Sequence, residues 1–244
     1  MKPAIETRAL TRRFGTRIAV EPLDLSIEAG EFFALLGPNG AGKTTTIRML
    51  CCLLPPTGGD AWLLGNSIRT APVAVKQRIG ISPQETAVAP KLTVRENLEL
   101  IARLYGASVS ESRVRAEQSL GELGLTERAG DRAKSLSGGL QRRLSIAMAL
   151  MPDPQVLFLD EPTLGLDVRA RRELWELLRR FKGEKTVVLT THYLEEAEAL
   201  SDRIGVMHEG RLRAVGTAEE LQTFTGTENF EDAFLQLTET EDTP

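Results

Sequence analysis

The sequence of 244 residues has little cysteine and no long apolar run. Its two cysteines, Cys51 and Cys52, are adjacent in an apolar segment. We therefore expect a reduced pair packed in the core and no disulfide framework. The longest apolar stretches include residues 32–36 and 146–151. Both are far shorter than the roughly 18 to 20 residues that cross a bilayer, so we expect a chain that does not span a membrane by itself.

Neither sign of charge dominates the sequence, since 30 Lys and Arg residues face 34 Asp and Glu residues, a formal net charge of -4. Non-specific binding of nucleic acid relies on a surplus of basic side chains, so this composition argues against it. Charged residues at Glu6, Arg8 and Arg12 interrupt the first part of the chain, and no secretory signal is legible there. We expect a cytosolic protein.

Two kinds of apolar pattern predict an α/β fold. Leu23, Leu25 and Ile27 alternate with polar residues, which is typical of a half-buried antiparallel strand and predicts a β subdomain in the first 30 residues. Continuous apolar runs of strand length instead predict a mainly parallel sheet with helices on both faces. These runs are residues 32–36, 156–159, 186–190 and 204–207, and helical patterns lie at 43–54, 168–182 and 193–201.

Between about residues 85 and 150 no strand pattern is present, and apolar residues recur at helical spacing. This region predicts a helical subdomain inserted into the α/β core, with helices at 93–105, 111–123 and 137–151. Two short helices at 217–221 and 229–237 and a frayed polar tail are expected beyond it. We therefore divide the chain into a main domain of residues 1–222 and a C-terminal segment of residues 223–244.

The segment GPNGAGKT matches the phosphate-loop pattern G-x-x-x-x-G-K-[ST]. It follows an apolar strand and opens a predicted helix, and in this context backbone N–H groups and a helix N-terminus surround phosphates. Lys43 would reach the β and γ phosphates, and Thr44 would offer its hydroxyl to Mg²⁺. A glycine-rich turn with a chance lysine is the alternative, and the flanking strand and helix argue against it. The predicted nucleotide-binding residues here are Gly37, Pro38, Asn39, Gly40, Ala41, Gly42, Lys43, Thr44 and Thr45.

A second apolar strand ends in two adjacent carboxylates, Asp160 and Glu161. Neighbouring strand residues point in opposite directions, so the two side chains cannot do the same work. Asp160 suits the coordination shell of Mg²⁺ beside Thr44, and Glu161 could align or deprotonate an attacking water. Solvated strand ends often carry acidic residues, and it is the preceding phosphate loop that favours the catalytic interpretation.

The segment LSGG, with Ser137, Gly138 and Gly139 at the start of a predicted helix, offers a second anion site of backbone N–H groups and a hydroxyl. By itself it would be read as a plain serine N-cap. The order of phosphate loop, LSGG and apolar strand with Asp-Glu resembles the nucleotide-binding subunit of ATP-binding cassette (ABC) transporters. Leu140 stands where that family usually has glutamine. This departure affects the expected contact to the ribose of ATP and not the expected contact to its phosphates.

The resemblance extends to single residues elsewhere in the chain. Phe14 matches the aromatic residue that stacks on adenine, and Gln84 matches the glutamine that links Mg²⁺ and water to the transmembrane partner. His192 matches the switch histidine that contacts the γ-phosphate in that family, and Asp167 matches a residue of the loop that crosses the dimer interface there. The alternatives are core packing for Phe14, an ordinary structural role for His192, and a helix cap for Asp167.

The resemblance also implies a mechanism. Two cassettes, either two copies of this chain or this chain and a homologue, would pair head to tail so that Ser137 of each completes the ATP site of the other. Water would attack the γ-phosphate in line, and the site would use ATP and Mg²⁺. The residues expected near Mg²⁺ are Thr44, Gln84 and Asp160. The implied catalytic residues are Lys43, Gln84, Glu161 and His192.

The stretches KLTVRENLELIARLYG and LSDRIGVMHEGRLRAVGT are similar to exporters of the type-2 ABC class, including drug and antibiotic resistance ATPases. This similarity implies a cytoplasmic ATPase that lies on the inner face of the cell membrane through a separately encoded permease. Two alternatives remain at this point. A soluble ABC-type ATPase acting on ribosomes or nucleic acid would usually have two cassettes or a long coiled-coil insert. A sensor that binds ATP without hydrolysing it would be expected to lack Glu161.

Overall fold

The computed structural model describes residues 3–239 and shows two β-sheets with helices around them. The smaller sheet is antiparallel and has the strand order β2-β1-β4-β5. The alternation noted in the sequence is present, because Leu23, Leu25 and Ile27 are buried while Asp24 and Ser26 between them are exposed. Its strands are β1 (Ile5–Phe14), β2 (Arg17–Ile27), β4 (Gly58–Leu63) and β5 (Asn66–Ser67).

The main sheet has six strands in the order β10-β9-β3-β8-β7-β6 and is parallel except at β10, which pairs antiparallel with β9. Its central strands β3, β7 and β8 are buried along their whole length, as expected for strands covered on both faces. The predicted α/β class is confirmed. The strands are β3 (Phe32–Leu36), β6 (Ile79–Ser82), β7 (Val156–Asp160), β8 (Thr186–Thr191), β9 (Arg203–His208) and β10 (Arg211–Gly216).

Strand β3 separates two hydrophobic cores. Phe32, Ala34 and Leu36 belong to the core that the main sheet shares with the helices on one face. Phe33 and Leu35 belong to the core between the main sheet and the antiparallel sheet. Because successive side chains of a strand point to opposite faces, β3 contributes side chains to both cores. Packing on both faces therefore fixes the position of its C-terminal end.

The helices cover the main sheet and form the inserted region. Helices α3, α4 and α5 lie where the sequence predicts a helical subdomain, and α3 and α4 each begin with a capping box, at Thr93 with Glu96 and at Ser108 with Glu111. The helices are α1 (Lys43–Leu50), α2 (Pro72–Lys76), α3 (Val94–Leu104), α4 (Val109–Glu122), α5 (Gly138–Leu150), α6 (Val168–Arg179), α7 (Leu194–Leu200), α8 (Ala218–Thr225) and α9 (Phe230–Thr238).

Helix α1 is shorter than the predicted helix at 43–54, because it ends at Leu50. Cys52 has the left-handed φ of 55°, and the N–H groups of Leu53 and Leu54 both donate to the carbonyl of Arg48. This closure is a usual way to end a helix, and a proline at position 55 disfavours helical geometry in the residue before it. Cys51 is buried as expected, whereas Cys52 is only half-buried and lies outside the helix.

Helix α8 runs through residue 222, where the sequence analysis places the end of the main domain. Helix α9 follows it, and Phe230 and Ala233 on that helix are buried in the helix-side core. The last residues of the expected polar tail, 240–244, lie outside the described residues. No helix in residues 3–239 is long and apolar enough to cross a membrane.

Candidate nucleotide-binding site

The phosphate loop connects the end of β3 with the start of α1, and two of its glycines are required by the space around them. A Cβ at Gly37 would collide with the carbonyl oxygen of Met207. Gly42 is the N-cap of α1 with φ of 103°, and a Cβ there would lie 2.7 Å from the carbonyl oxygen of Ala19. Close packing against strands β2 and β9 therefore fixes the path of the loop.

Lys43 is buried inside this loop and is only 5% exposed. Its Nζ donates to the carbonyl oxygens of Gly37 (2.7 Å) and Pro38 (3.1 Å) and lies 3.5 Å from Oε1 of Glu161. Burial lowers the pKa of the Lys43 ammonium, and the Glu161 carboxylate acts in the opposite direction. The ammonium is thus the positive charge around which the loop curls.

Asp160 lies at the end of β7, between residues of two other elements. Its Oδ1 accepts hydrogen bonds from the hydroxyl of Thr44 at the start of α1 (3.0 Å) and from the hydroxyl of Thr190 on β8 (2.5 Å). The side chain is 5% exposed. A carboxylate and a hydroxyl that converge in this way are hard oxygen donors of the kind that Mg²⁺ prefers.

Glu161 lies just beyond β7 and has the left-handed φ of 49°. Its N–H donates to both the carbonyl oxygen (3.1 Å) and the hydroxyl (3.0 Å) of Thr190. Its Oε2 is 2.8 Å from Nδ1 of His192. The two carboxylates therefore have different neighbours, as expected. The reason is different from the expected one, because Glu161 lies in a turn after β7 and the two residues do not alternate along a regular strand.

A cavity of about 570 Å³ opens above these residues. Gln84 and Phe14 lie on its wall, and both are exposed. The guanidinium of Arg12 lies 4.5 Å from the centre of the Phe14 ring, so one face of the ring already has a cationic neighbour. The volume falls in the range of small-molecule sites. The lining residues are Phe14, Arg17, Ala19, Asn39, Gly40, Ala41, Gly42, Lys43, Thr44, Thr45, Gln84 and Glu161.

The LSGG residues do not line this cavity. Ser137 and Gly138 are exposed, and the hydroxyl of Ser137 caps α5 by accepting from the N–H of Leu140 at 3.4 Å. Asp167 likewise caps α6, accepting from the N–H of Ala170 at 2.8 Å. These contacts are the capping roles considered for both residues, and they leave the exposed N-terminus of α5 available to another molecule.

Two residues that the sequence analysis did not single out contribute to the site. Thr190 joins Asp160 to Glu161, and a threonine inside a β-branched strand carries no signal of such a role. Glu196 on α7 is fully buried and accepts from the indole N–H of Trp175 at 3.2 Å. Burial raises the pKa of its carboxyl group. This contact fixes α7, which follows His192, against α6, which follows Asp167.

Comparison with known proteins agrees with this geometry. The profile of a family described as "ABC transporter" matches residues 20–164. The chain belongs to the ABC transporter family. Among solved structures, the ATP-binding subunit of an ABC transporter is 29% identical with a TM-score of 0.86, and the match covers 97% of this chain and 100% of that one. A dimeric bacterial ABC transporter cassette is 29% identical with a TM-score of 0.80, over 87% of this chain and 98% of that chain.

Relatives of this ABC cassette include the daunorubicin/doxorubicin resistance ATP-binding protein DrrA of Streptomyces peucetius, which is 44% identical over 91% of this chain and 68% of the relative. The Nod factor export ATP-binding protein I of Burkholderia lata is 43% identical over 89% and 72%. ABC transporter A family member 2 of Arabidopsis thaliana is 46% identical over 86% of this chain, which spans only 22% of that relative. The predicted family and the ATPase class are confirmed, and the roles of single residues stay predictions.

We expect Lys43→Ala to abolish ATP hydrolysis, with a loss of at least about 100-fold, because the main side-chain charge of the phosphate loop is removed. Phosphate release by the purified variant measures the effect. Lys182→Ala is the matched control, since Lys182 forms a half-exposed ion pair with Asp202 away from the cavity. Turnover of the Lys43 variant at the control's rate would show that the phosphate loop is assigned wrongly.

Proposed function

We propose that this chain is the ATP-hydrolysing subunit of an ABC exporter and that it powers a separately encoded membrane permease. The observation that carries the proposal is the convergence of the phosphate loop, Asp160, Glu161 and His192 at one end of the main sheet, beside a cavity large enough for a nucleotide. The names of the relatives cited above, which refer to drug resistance and to Nod factor export, support the exporter class.

In this proposal Phe14 stacks on adenine and the phosphate loop binds the phosphates. Phe14 and the loop line the same cavity, and the free face of the Phe14 ring suits a purine. The carbonyl oxygens that now accept from Lys43 would compete with phosphate oxygens for its three protons. The N-terminus of α1 adds backbone N–H groups aimed at the same point.

The residues present fit Mg²⁺. Thr44 and Asp160 supply two converging oxygens, and Gln84 on the cavity wall would supply a third side-chain oxygen. The described part of the chain has no cluster of three or more His, Cys, Asp or Glu side chains that could hold a metal by themselves, so phosphate oxygens would complete the coordination. When bound, the cation would neutralise charge on the phosphates.

Glu161 is the proposed base for hydrolysis. It is 5% exposed, and one carboxylate oxygen faces Lys43 while the other faces His192. His192 would fix the orientation of this carboxylate, and Gln84 at the edge of the cavity would hold the water in line with the γ-phosphate. Most of the rate enhancement would come from positioning and from charge neutralisation by Lys43.

The ATP site would be completed by a second cassette. The exposed N-terminus of α5, with Ser137 and Gly138, is an anion site on the surface and does not line this chain's own cavity. Head-to-tail pairing would place it over the partner's phosphates and produce two equivalent sites. Dimeric solved structures of a related cassette, one of them with bound ADP and Pi, support the pairing of two cassettes.

The permease would dock at a cleft between the core and the helical subdomain. This cleft has a volume of about 320 Å³ and is mostly apolar. Tyr105 on its rim is 53% exposed, and the neighbouring Leu104 is 71% exposed. A short helix with an apolar face from a cytoplasmic loop of the permease suits such a cleft. The chain would then lie on the inner face of the membrane. Residues of both parts line the cleft, among them Leu53, Ile81, Ala87, Ile101, Tyr105 and Met148.

We expect Glu161→Gln to retain ATP binding while hydrolysis falls by about 100-fold or more, because the amide keeps the shape of the side chain but cannot accept a proton. The variant should accumulate as an ATP-bound dimer, which light scattering detects. Glu184→Gln, a change at an exposed position, is the control. Hydrolysis at the control's rate would mean that Glu161 has only a structural role beside Lys43 and His192.

We expect Ser137→Arg to prevent the closed dimer while the monomer still binds ATP, because the bulky cation blocks the surface that meets the other chain. Ser110→Arg, an exposed position in the same subdomain, is the control. Mixed dimers of Lys43→Ala chains with Ser137→Ala chains, which lack the bulky cation, contain one site with both lesions and one with neither, so activity should persist. Its complete loss, in mixed dimers shown to form, would contradict assembly in trans.

We expect a cysteine at Ala87, in a chain with Cys51→Ala and Cys52→Ser, to crosslink to a cytoplasmic loop of the co-expressed permease, because Ala87 is exposed and lines the cleft. The yield should differ between nucleotide-free and ATP-bound states. A cysteine at Val114, which is exposed on α4, is the control and should not crosslink. Co-purification with ribosomes or nucleic acid, and with no membrane protein, would overturn the exporter proposal.

A further inference from the structure

A buried arginine on the LSGG helix carries an inference beyond the roles above. Arg142, on α5, is 4% exposed. Among residues 3–239 its guanidinium forms no ion pair with a carboxylate. Burial of a charge without an opposite charge is unfavourable unless hydrogen bonds compensate. Such a residue is therefore expected to have a specific use.

The compensation comes from the loop that contains Gln84. The two terminal nitrogens of Arg142 donate to the carbonyl oxygens of Pro83 (2.6 Å) and Gln84 (2.5 Å). In the part of the chain that the structure describes, these are the only hydrogen bonds formed by residues 83–88, which follow β6. The path of the loop at Gln84 thus depends on one side chain.

Helix α5 is itself fixed to the core on one side and reaches the surface on the other. Ser145 on α5 lies 2.9 Å from Ser82 of β6, hydroxyl to hydroxyl. A Cβ at Gly80 would collide with the carbonyl of Ala149, so the helix packs against the strand at its closest approach. At the other end of the same helix, Ser137 is the exposed N-cap.

We propose that Arg142 is a positioning residue that joins the Gln84 loop to α5, so that Gln84 and Ser137 of one chain are placed together. The inference rests on the proposed head-to-tail assembly, in which Gln84 serves this chain's ATP and Ser137 serves the partner's. When nucleotide binding displaces Gln84, α5 moves with it, and Ser137 at the N-terminus of α5 then moves in the ATP site of the partner. Arg142 couples the two ATP sites, and it also couples them to the cleft at Ala87.

The geometry makes arginine specific for this task. Its planar fork satisfies two carbonyl oxygens of consecutive residues at once, whereas a lysine ammonium is a point donor without that geometry. A methionine fills similar space and satisfies neither oxygen. Along the series Arg, Lys and Met at position 142, the hydrogen bonding between α5 and the Gln84 loop therefore weakens stepwise, while the side-chain volume stays similar.

The experiment compares Arg142→Met and Arg142→Lys with the wild type and with Arg69→Met. Arg69 is the matched control, because its guanidinium also donates to a backbone carbonyl, that of Gly59 at 2.9 Å, but at an exposed place. All chains carry Cys51→Ala and Cys52→Ser, and a nitroxide on a cysteine at Glu85 reports the mobility of the loop. ATP affinity, turnover and the Hill coefficient for ATP are measured on the same preparations.

In Arg142→Met we expect a more mobile nitroxide without nucleotide, ATP affinity of the monomer within about threefold of wild type, and turnover lower by about 10-fold to 100-fold, because a loop displaced by about 1 Å costs this much. The Hill coefficient should fall towards 1. Arg142→Lys should be intermediate in nitroxide mobility, turnover and Hill coefficient, and Arg69→Met should match the wild type.

A role confined to stability gives a different pattern. Equal losses of ATP affinity and turnover with an unchanged nitroxide signal would overturn the inference, as would a mobile loop with unchanged turnover and Hill coefficient. If Arg142→Met does not fold, Arg142→Lys decides by the same criteria. The proposed function is tested separately, and it fails if the wild-type chain neither hydrolyses ATP nor forms a dimer with ATP. The mobility of the loop is measured without nucleotide, so it tests the contact of Arg142 whatever that outcome is.

Discussion

The hydrogen bonds around Thr190 and Asp160 are the constraint on which the site depends. Asp160 ends β7, Thr190 lies opposite it on β8, and Thr44 begins the helix that follows β3. These three strands are parallel and adjacent, so their carboxyl ends meet at one edge of the sheet. A shift of one residue between β7 and β8 would turn Thr190 to the other face and separate Asp160 from Thr44. The register of buried strands thus determines the chemistry.

The parts of the fold that the sequence predicts well are those set by local pattern. The apolar runs of β3, β7 and β8 and the glycines of the phosphate loop are visible in the chain, because burial on both faces and close backbone contact restrict residue type directly. The strand β6 was not predicted, since IGIS is too short for a clear period. Its position becomes evident only from its pairing with β7.

The contacts that position the proposed catalytic side chains could not be predicted, because they join residues far apart in the chain. Arg142 stands beside Arg143, and nothing in the sequence distinguishes the two. In the structure Arg143 pairs with Glu173 at a partly exposed position, while Arg142 is buried against the loop of Gln84. The same holds for Glu196, which resembles a surface glutamate in sequence and is buried against Trp175.

The left-handed backbone at Glu161 has a thermodynamic consequence. This conformation costs most residues that have a Cβ about 1 kcal/mol or more, whereas it costs less for glycine, which has no Cβ, and for asparagine, whose side chain can hydrogen-bond locally. Here the strained residue is also a buried carboxylate held beside Lys43 and His192. The backbone at this position therefore favours glycine, whereas the proposed role as a base requires the carboxylate. Under the proposed function, position 161 gives up some chain stability for hydrolysis, which is the trade-off expected at an active site.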